Sequence, residues 1–408
     1  MKNRDKKIWV LCLLFPPVIS ILISLNELIR NRGKIALYRF LICLVTIIAY
    51  WYVAYDTILK FWGVNSMKYY SNTSLLEGDP LSNIAYLCNS FIDYYYFFFL
   101  YWLLSGYFFY TAIYSQYQNK VSIVGIILLI FGLNLTNWAN LTYFTLSCTF
   151  AIFIGERIKN HLILVLPAIF IVYLLHPGML LCFAPSILLF YLWEKGALKL
   201  SFLYLLAYAY ASYLFFNTEI SLYFLGDSDI ASEHIRAYEG YTGDGKWGSE
   251  GLEYGIRGVI WYYSLYLILA IGLFFIYKHF TLLRSKFVSA IFVIAVITLY
   301  NSHRFYTFSE RMGIVALLSC IVVFSILDSQ NMLNQRMKKI IVPLVVVSFF
   351  SSVFMFVQPR RDMFINNEDG YEVSFRSFVV PTALCIFDLH HIGYSDSYLL
   401  QNGRNRHK

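Results

Sequence analysis

Residues 162–193 read LILVLPAIFIVYLLHPGMLLCFAPSILLFYLW, a stretch without Asp, Glu, Lys or Arg. As one α-helix it is about 48 Å long, whereas the hydrocarbon core of a bilayer is about 30 Å thick. Pro177 and Gly178 lie near its middle, and both residue types interrupt helices. The stretch is therefore predicted to make two short or tilted passes, broken at His176–Gly178. Val121–Gly155 has the same character. It carries no charge, is about 52 Å long as one helix, and contains the polar knot NLTNWANLT (Asn134–Thr142). It too is predicted to fold as two pieces.

Composition agrees with these two stretches. Of 408 residues, 59% are hydrophobic and 14% charged, against about 25% charged in soluble proteins. That leaves too little polar surface to cover a water-soluble globule. The 35 Tyr and 36 Phe suit interface belts and helix packing, and Tyr also suits sugar-lined cavities. The net charge of +8 fits cytoplasmic retention of Lys and Arg and attraction to anionic lipid, so membrane lipid is an expected partner and nucleic acid is not. Seven scattered Cys form no CxxC or Cys/His pattern, so no metal and no cofactor is expected. No small-residue cleavage site follows Ile8–Leu25, and a cleavable signal peptide is not expected.

Further apolar runs at Ile8–Leu25, Leu37–Tyr55, Phe91–Tyr114, Leu200–Phe216, Gly258–Tyr277, Phe287–Tyr300, Gly313–Leu327 and Ile340–Val357 complete the prediction. The fold class is all-α: a polytopic transmembrane bundle of about ten to twelve spans, forming a single membrane domain over residues 1–408. The basic stretches Gly155–His161, Glu194–Lys199, Lys278–Lys286 and Asn334–Lys339 are assigned to the cytoplasm. His176, the loops 217–257 and 301–312, and residues 56–90 then fall outside. Met1–Lys7 and Asn26–Arg39 are both basic, yet one apolar run separates them. An external start of the chain is the preferred reading. The alternative is a re-entrant hairpin turned at Pro16-Pro17. Residues 359–408 are read as an interfacial or external tail, because Phe378–Phe387 is too short to span.

Chemistry is sought in the external segments, which a membrane scaffold holds in place. The loop 217–257 is acidic, glycine-rich and aromatic, and carries His234, Arg236 and Arg257. The segment NSHRFYTFSERM (Asn301–Met312) places Arg304, Tyr306, Glu310 and Arg311 beside the bilayer. In a helix, Arg304 and Arg311 share a face, and paired guanidinium groups suit a diphosphate. The bland alternatives are a solvated loop and side chains snorkelling to headgroups. His176 is read either as helix-end structure or as a site residue. No Walker, GxGxxG, HExxH or GxSxG motif occurs.

Three stretches carry a family resemblance: NLTYFTLSCTFAIFIGERIKN (Asn140–Asn160), LVLPAIFIVYLLHPGMLL (Leu164–Leu181) and YNSHRFYTFSERMGIV (Tyr300–Val315). Together with the large external loop, they resemble the Wzy-type and EpsG-like polysaccharide polymerases of bacterial envelopes. In that family a short span opening on an Asn-Leu-Arg-type turn precedes a span ending in His. Two departures are plain. Thr142 stands where Arg often follows Asn-Leu, and Ala54–Tyr70 lacks the Arg of the family's first external loop.

The resemblance implies a glycosyltransferase of the bacterial inner (plasma) membrane, with an architecture of the GT-C type. Such an enzyme joins polyprenyl-diphosphate-linked oligosaccharide repeat units into O antigen or a related surface polysaccharide, with a chain-length regulator protein as a further expected partner. Arg236, Arg257, Arg304 and Arg311 would bind diphosphate, with Tyr306 stacking on sugar. His176, His234 or Glu310 would be the base. A transporter or flippase of lipid-linked oligosaccharides is the alternative. It should show internal repeats and small external loops, and neither is evident here.

Overall fold

The computed structural model describes residues 3–51, 80–88, 91–92, 94–118, 120–133, 138, 142–158, 162–217, 256–280, 283, 285–302, 306–365, 377–387 and 389. The helices among them are α1 (Asn3–Leu14), α2 (Pro17–Asn31), α3 (Lys34–Trp51), α4 (Pro80–Cys88), α5 (Tyr94–Tyr114), α6 (Ile123–Gly132), α7 (Thr142–Ile158), α8 (Val165–Leu175), α9 (Leu180–Glu194), α10 (Leu198–Asn217), α11 (Ile256–His279), α12 (Lys286–Asn301), α13 (Tyr306–Ser329), α14 (Gln335–Ile365) and α15 (Thr382–Phe387). No strand occurs among the described residues. Five stretches are long and apolar enough to cross a bilayer: Tyr96–Tyr114, Pro177–Glu194, Leu198–Phe216, Ile260–His279 and Ser309–Ser329. The protein is an all-α membrane bundle, as its apolar composition requires.

Both long charge-free stretches are broken where sequence predicts. Val121–Gly155 divides into α6 and α7 on either side of the polar knot. Leu162–Trp193 divides into α8 and α9, with His176 outside helix and a 3-10 turn at Pro177–Met179. The chain groups into two compact units. The first holds residues 1–150, 174–176 and 352–408, and the second holds 151–173 and 177–351.

The first unit begins with a helical hairpin. Cys12 Sγ lies 3.3 Å from Ser24 Oγ, and Arg4 Nη2 lies 3.1 Å from Glu27 Oε1. These pairings run α1 and α2 antiparallel about Pro16-Pro17. At their free end Asp5 meets Arg39 of α3 at 3.5 Å. The basic segments at residues 1–7 and 26–39 therefore share one end, which corrects the preferred reading of an external start. The physical reason is length. Helix α1 has 12 residues and α2 has 15. Neither reaches across a hydrocarbon core of roughly 30 Å, because an α-helix rises only about 1.5 Å per residue.

Proline makes the turn, and hydroxyls satisfy what it leaves open. Pro16 has no N–H to give the Cys12 carbonyl. Ser20 Oγ donates to that carbonyl at 2.7 Å and to the Phe15 carbonyl at 3.0 Å. From the far end of the chain, Thr382 donates its N–H at 2.9 Å and its hydroxyl at 2.7 Å to the same Phe15 oxygen. Such substitution of donors is what a non-aqueous setting demands. The segment 378–387, read from sequence as interfacial and not spanning, forms the six-residue α15 on this hairpin tip.

The second unit is organised around α13. Within Ser309–Ser329, 94% of positions are buried, against 11% in Leu198–Phe216 of α10. Thus α13 is the central helix and α10 a perimeter one. Close approach is built in at Gly272 of α11, where an added Cβ would stand 2.5 Å from Cys320 Sγ and 2.9 Å from the Phe292 ring. Three of the basic stretches assigned to one side do meet. Ser285, just before α12, donates to Glu156 of α7, and Lys286 pairs with Glu194 of α9 at 3.5 Å. The turn between α9 and α10 uses Gly196 at φ +69°, a conformation that costs side-chain-bearing residues more.

Candidate functional site

The first two turns of α13 carry the chemistry in the second unit. Glu310 and Arg311 lie there in succession. Glu310 is 8% exposed and Arg311 half-buried. An ionisable side chain buried in a membrane bundle is by default a functional-site hypothesis.

α11 supplies the facing wall. The Glu310 carboxylate is near enough to Tyr262 to act on it electrostatically. One turn along, Leu265 is the neighbour that a Cβ at Gly313 would meet, at 3.4 Å, and Cys320 Sγ approaches the Ile268 carbonyl at 3.6 Å. Contacts that advance together along both helices mean that α11 and α13 run parallel. Their first turns, which hold Arg257 and Tyr306, therefore lie at the same end. Tyr262 stacks on Tyr266, with ring centroids 6.3 Å apart and planes at 20°, and its ring is 4.8 Å from that of Trp261. The result is an acid, a guanidinium and an aromatic face at one end of a helix pair, of which α13 is the buried member.

Of the residues singled out from sequence, the backbone thus gathers Arg257, Tyr306, Glu310 and Arg311. His234, Arg236 and Arg304 lie outside the described residues. His176 belongs to the first unit, half-buried at the end of α8, with its ring 5.1 Å from Phe144 in an edge-to-face contact. Sequence reasoning missed Tyr262, Tyr266 and Trp261, because in the run GVIWYYSLY they look like any interface belt. Only the register of α11 against α13 marks them out. Among the described residues no group of three or more His, Cys, Asp or Glu side chains is placed to hold a metal ion.

Fold and site together define an integral membrane protein of the all-helical class, with a polar, aromatic-lined locus at one end of the most buried of the five candidate spans among the described residues. No protein family, curated protein or solved structure matches this chain.

Proposed function

We propose that the chain is a membrane glycosyltransferase that polymerises polyprenyl-diphosphate-linked oligosaccharide repeat units on the outer face of a bacterial inner membrane. The observation that carries this reading is the Glu310–Arg311 pair in the opening turns of α13, with Glu310 close to Tyr262. Polymerisation needs three things at one place: a cation for a diphosphate, a base for a sugar hydroxyl, and a flat apolar surface for sugar rings. Arg311 supplies the first, and Arg257 stands in the first turn of α11 at the same end. Glu310 supplies the second, and Tyr262 with Tyr266 the third.

In the proposed reaction, the bond between the anomeric carbon of the growing chain and its polyprenyl diphosphate breaks. A new bond forms from that carbon to a hydroxyl at the non-reducing end of the incoming unit. Glu310 takes the hydroxyl proton, which makes the oxygen nucleophilic. The diphosphate leaves with the bonding electron pair. Guanidinium groups stabilise the charge it gains through charge-assisted, bidentate hydrogen bonds. Diphosphate is a good leaving group, so little acid assistance is needed there.

The test is genetic. A deletion strain is complemented with the parent, Glu310→Gln or Arg311→Ala, and its envelope glycan is run on a gel. The expected result is single-repeat product from both variants at unchanged protein level, with chain extension reduced about 100-fold or more, the usual range for losing a general base or an electrostatic stabiliser. Full-length glycan from both variants would refute the assignment. Loss of all surface glycan on deletion would favour export of lipid-linked sugars instead.

A further inference from the structure

Toward the opposite end of the second unit, an apolar groove of about 270 Å³ lies between the end of α7 and the middle turns of α8 and α9. Ile158, Ile169, Ala184, Ile187, Leu188 and Tyr191 line it. Its outer wall faces away from the protein: Leu188 is 48% and Tyr191 47% exposed. The volume falls just below the roughly 300–1,000 Å³ usual for compact ligands, and the lining offers a ligand only the Tyr191 hydroxyl as a side-chain polar group. Such a space suits a slender hydrocarbon chain lying along the helices.

The groove has a charged end. Lys195, exposed, holds its ammonium 5.5 Å from the centre of the Tyr191 ring. Arg157, next to Ile158, lays its guanidinium 3.6 Å over Phe153. Of the nearby carboxylates, Glu194 pairs with Lys286 at 3.5 Å, while Glu156 accepts from Ser285 and keeps its charge. Among the described residues Arg157 and Lys195 together outweigh Glu156, and by the positive-inside rule such an end faces the leaflet rich in anionic lipid. A lysine with an apolar stem beside a lipid-facing ring is arranged to reach a headgroup.

We propose that this groove seats one acyl chain of an anionic glycerophospholipid, with its phosphate against Lys195. The lipid fills a gap between α8 and α9 that the broken stretch Leu162–Trp193 leaves open, and its charge discriminates it from the zwitterionic bulk.

The experiment uses the full chain in detergent, with dioleoyl phosphatidylglycerol, dioleoyl phosphatidylcholine or an isoprenyl phosphate added. Bound lipid is counted by native mass spectrometry, and Tm is followed in parallel. Phosphatidylglycerol is expected to bind and raise Tm, with phosphatidylcholine at least tenfold weaker. Ala184→Trp, which fills the groove, and Lys195→Glu, at an exposed side chain that leaves packing alone, should each weaken phosphatidylglycerol at least tenfold. Equal binding of the two phospholipids, or unchanged phosphatidylglycerol binding in Lys195→Glu, overturns the proposal. Displacement of phosphatidylglycerol by equimolar isoprenyl phosphate overturns the choice of occupant.

Discussion

Arg39, only 1% exposed, reaches back along the chain to Asp5: its Nη1 donates to the Asp5 carbonyl at 3.2 Å, and its Nη2 lies 3.5 Å from Oδ1. A buried guanidinium is tolerated when paired and costly when its partner is removed. Asp5→Ala is expected to lower stability by about 3 kcal/mol, read as a drop in detergent melting temperature. Arg39→Met, which removes the charge with little loss of volume, should cost clearly less. Equal losses from both would mean that packing, and not charge pairing, holds α1 to α3.

The hairpin makes a topological prediction. In a background without native cysteines, Lys6→Cys and Gly33→Cys should react with an impermeant maleimide from the same side of the membrane. By the positive-inside rule that side is the cytoplasm, so both should be protected in intact spheroplasts and labelled after lysis. Labelling of one and not the other from outside would rule out the hairpin as an entry and return on one face.

Gly272 tests how tightly α11 is pressed into the bundle. Cys320 and the buried Phe292 ring leave no room for a side chain there, so Gly272→Val should destabilise by about 1–3 kcal/mol. Gly196→Ala, at a turn with nothing within 4 Å of the added carbon, bears only its left-handed backbone cost. Thermal melts of the two variants should differ by several degrees, with Gly272→Val the lower. The reverse order would contradict the helix register described for α11 and α13.

Tyr262 separates stacking from hydrogen bonding at the candidate site. Tyr262→Phe keeps the face and loses the hydroxyl, while Tyr262→Ala loses both. With sugar stacking as the main role, the Phe variant should retain chain extension within a few-fold, and the Ala variant should fall by about tenfold, in line with about 1 kcal/mol or more for an aromatic contact. A Phe variant as defective as Ala would move the role to the hydroxyl.

The fold was legible wherever one residue type overrode its surroundings. Pro177-Gly178 and the polar knot break apolar runs that are longer than the hydrocarbon core is thick. Four basic stretches marked helix ends because desolvating Lys or Arg in lipid is costly. The opening of the chain is not legible in this way, because a hairpin of two short helices and one long pass have the same hydropathy. The pairings of Cys12 with Ser24, Arg4 with Glu27 and Asp5 with Arg39 distinguish them. The site was partly legible for a similar reason. Glu310 and Arg311 are conspicuous as charges in an apolar chain, but Tyr262 acquires meaning only from a helix distant in sequence. No local pattern encodes that register.

The grip of Thr382 on the Phe15 carbonyl has a consequence for biogenesis. A ribosome makes the hairpin before the second unit and Thr382, its last donor, after it. The interposed helices can consolidate while translation continues, but the opening pair must wait, its bent tip short of two hydrogen bonds. Assembly then closes from the middle outward, and a chain halted before residue 382 would leave its earliest segment the least secure.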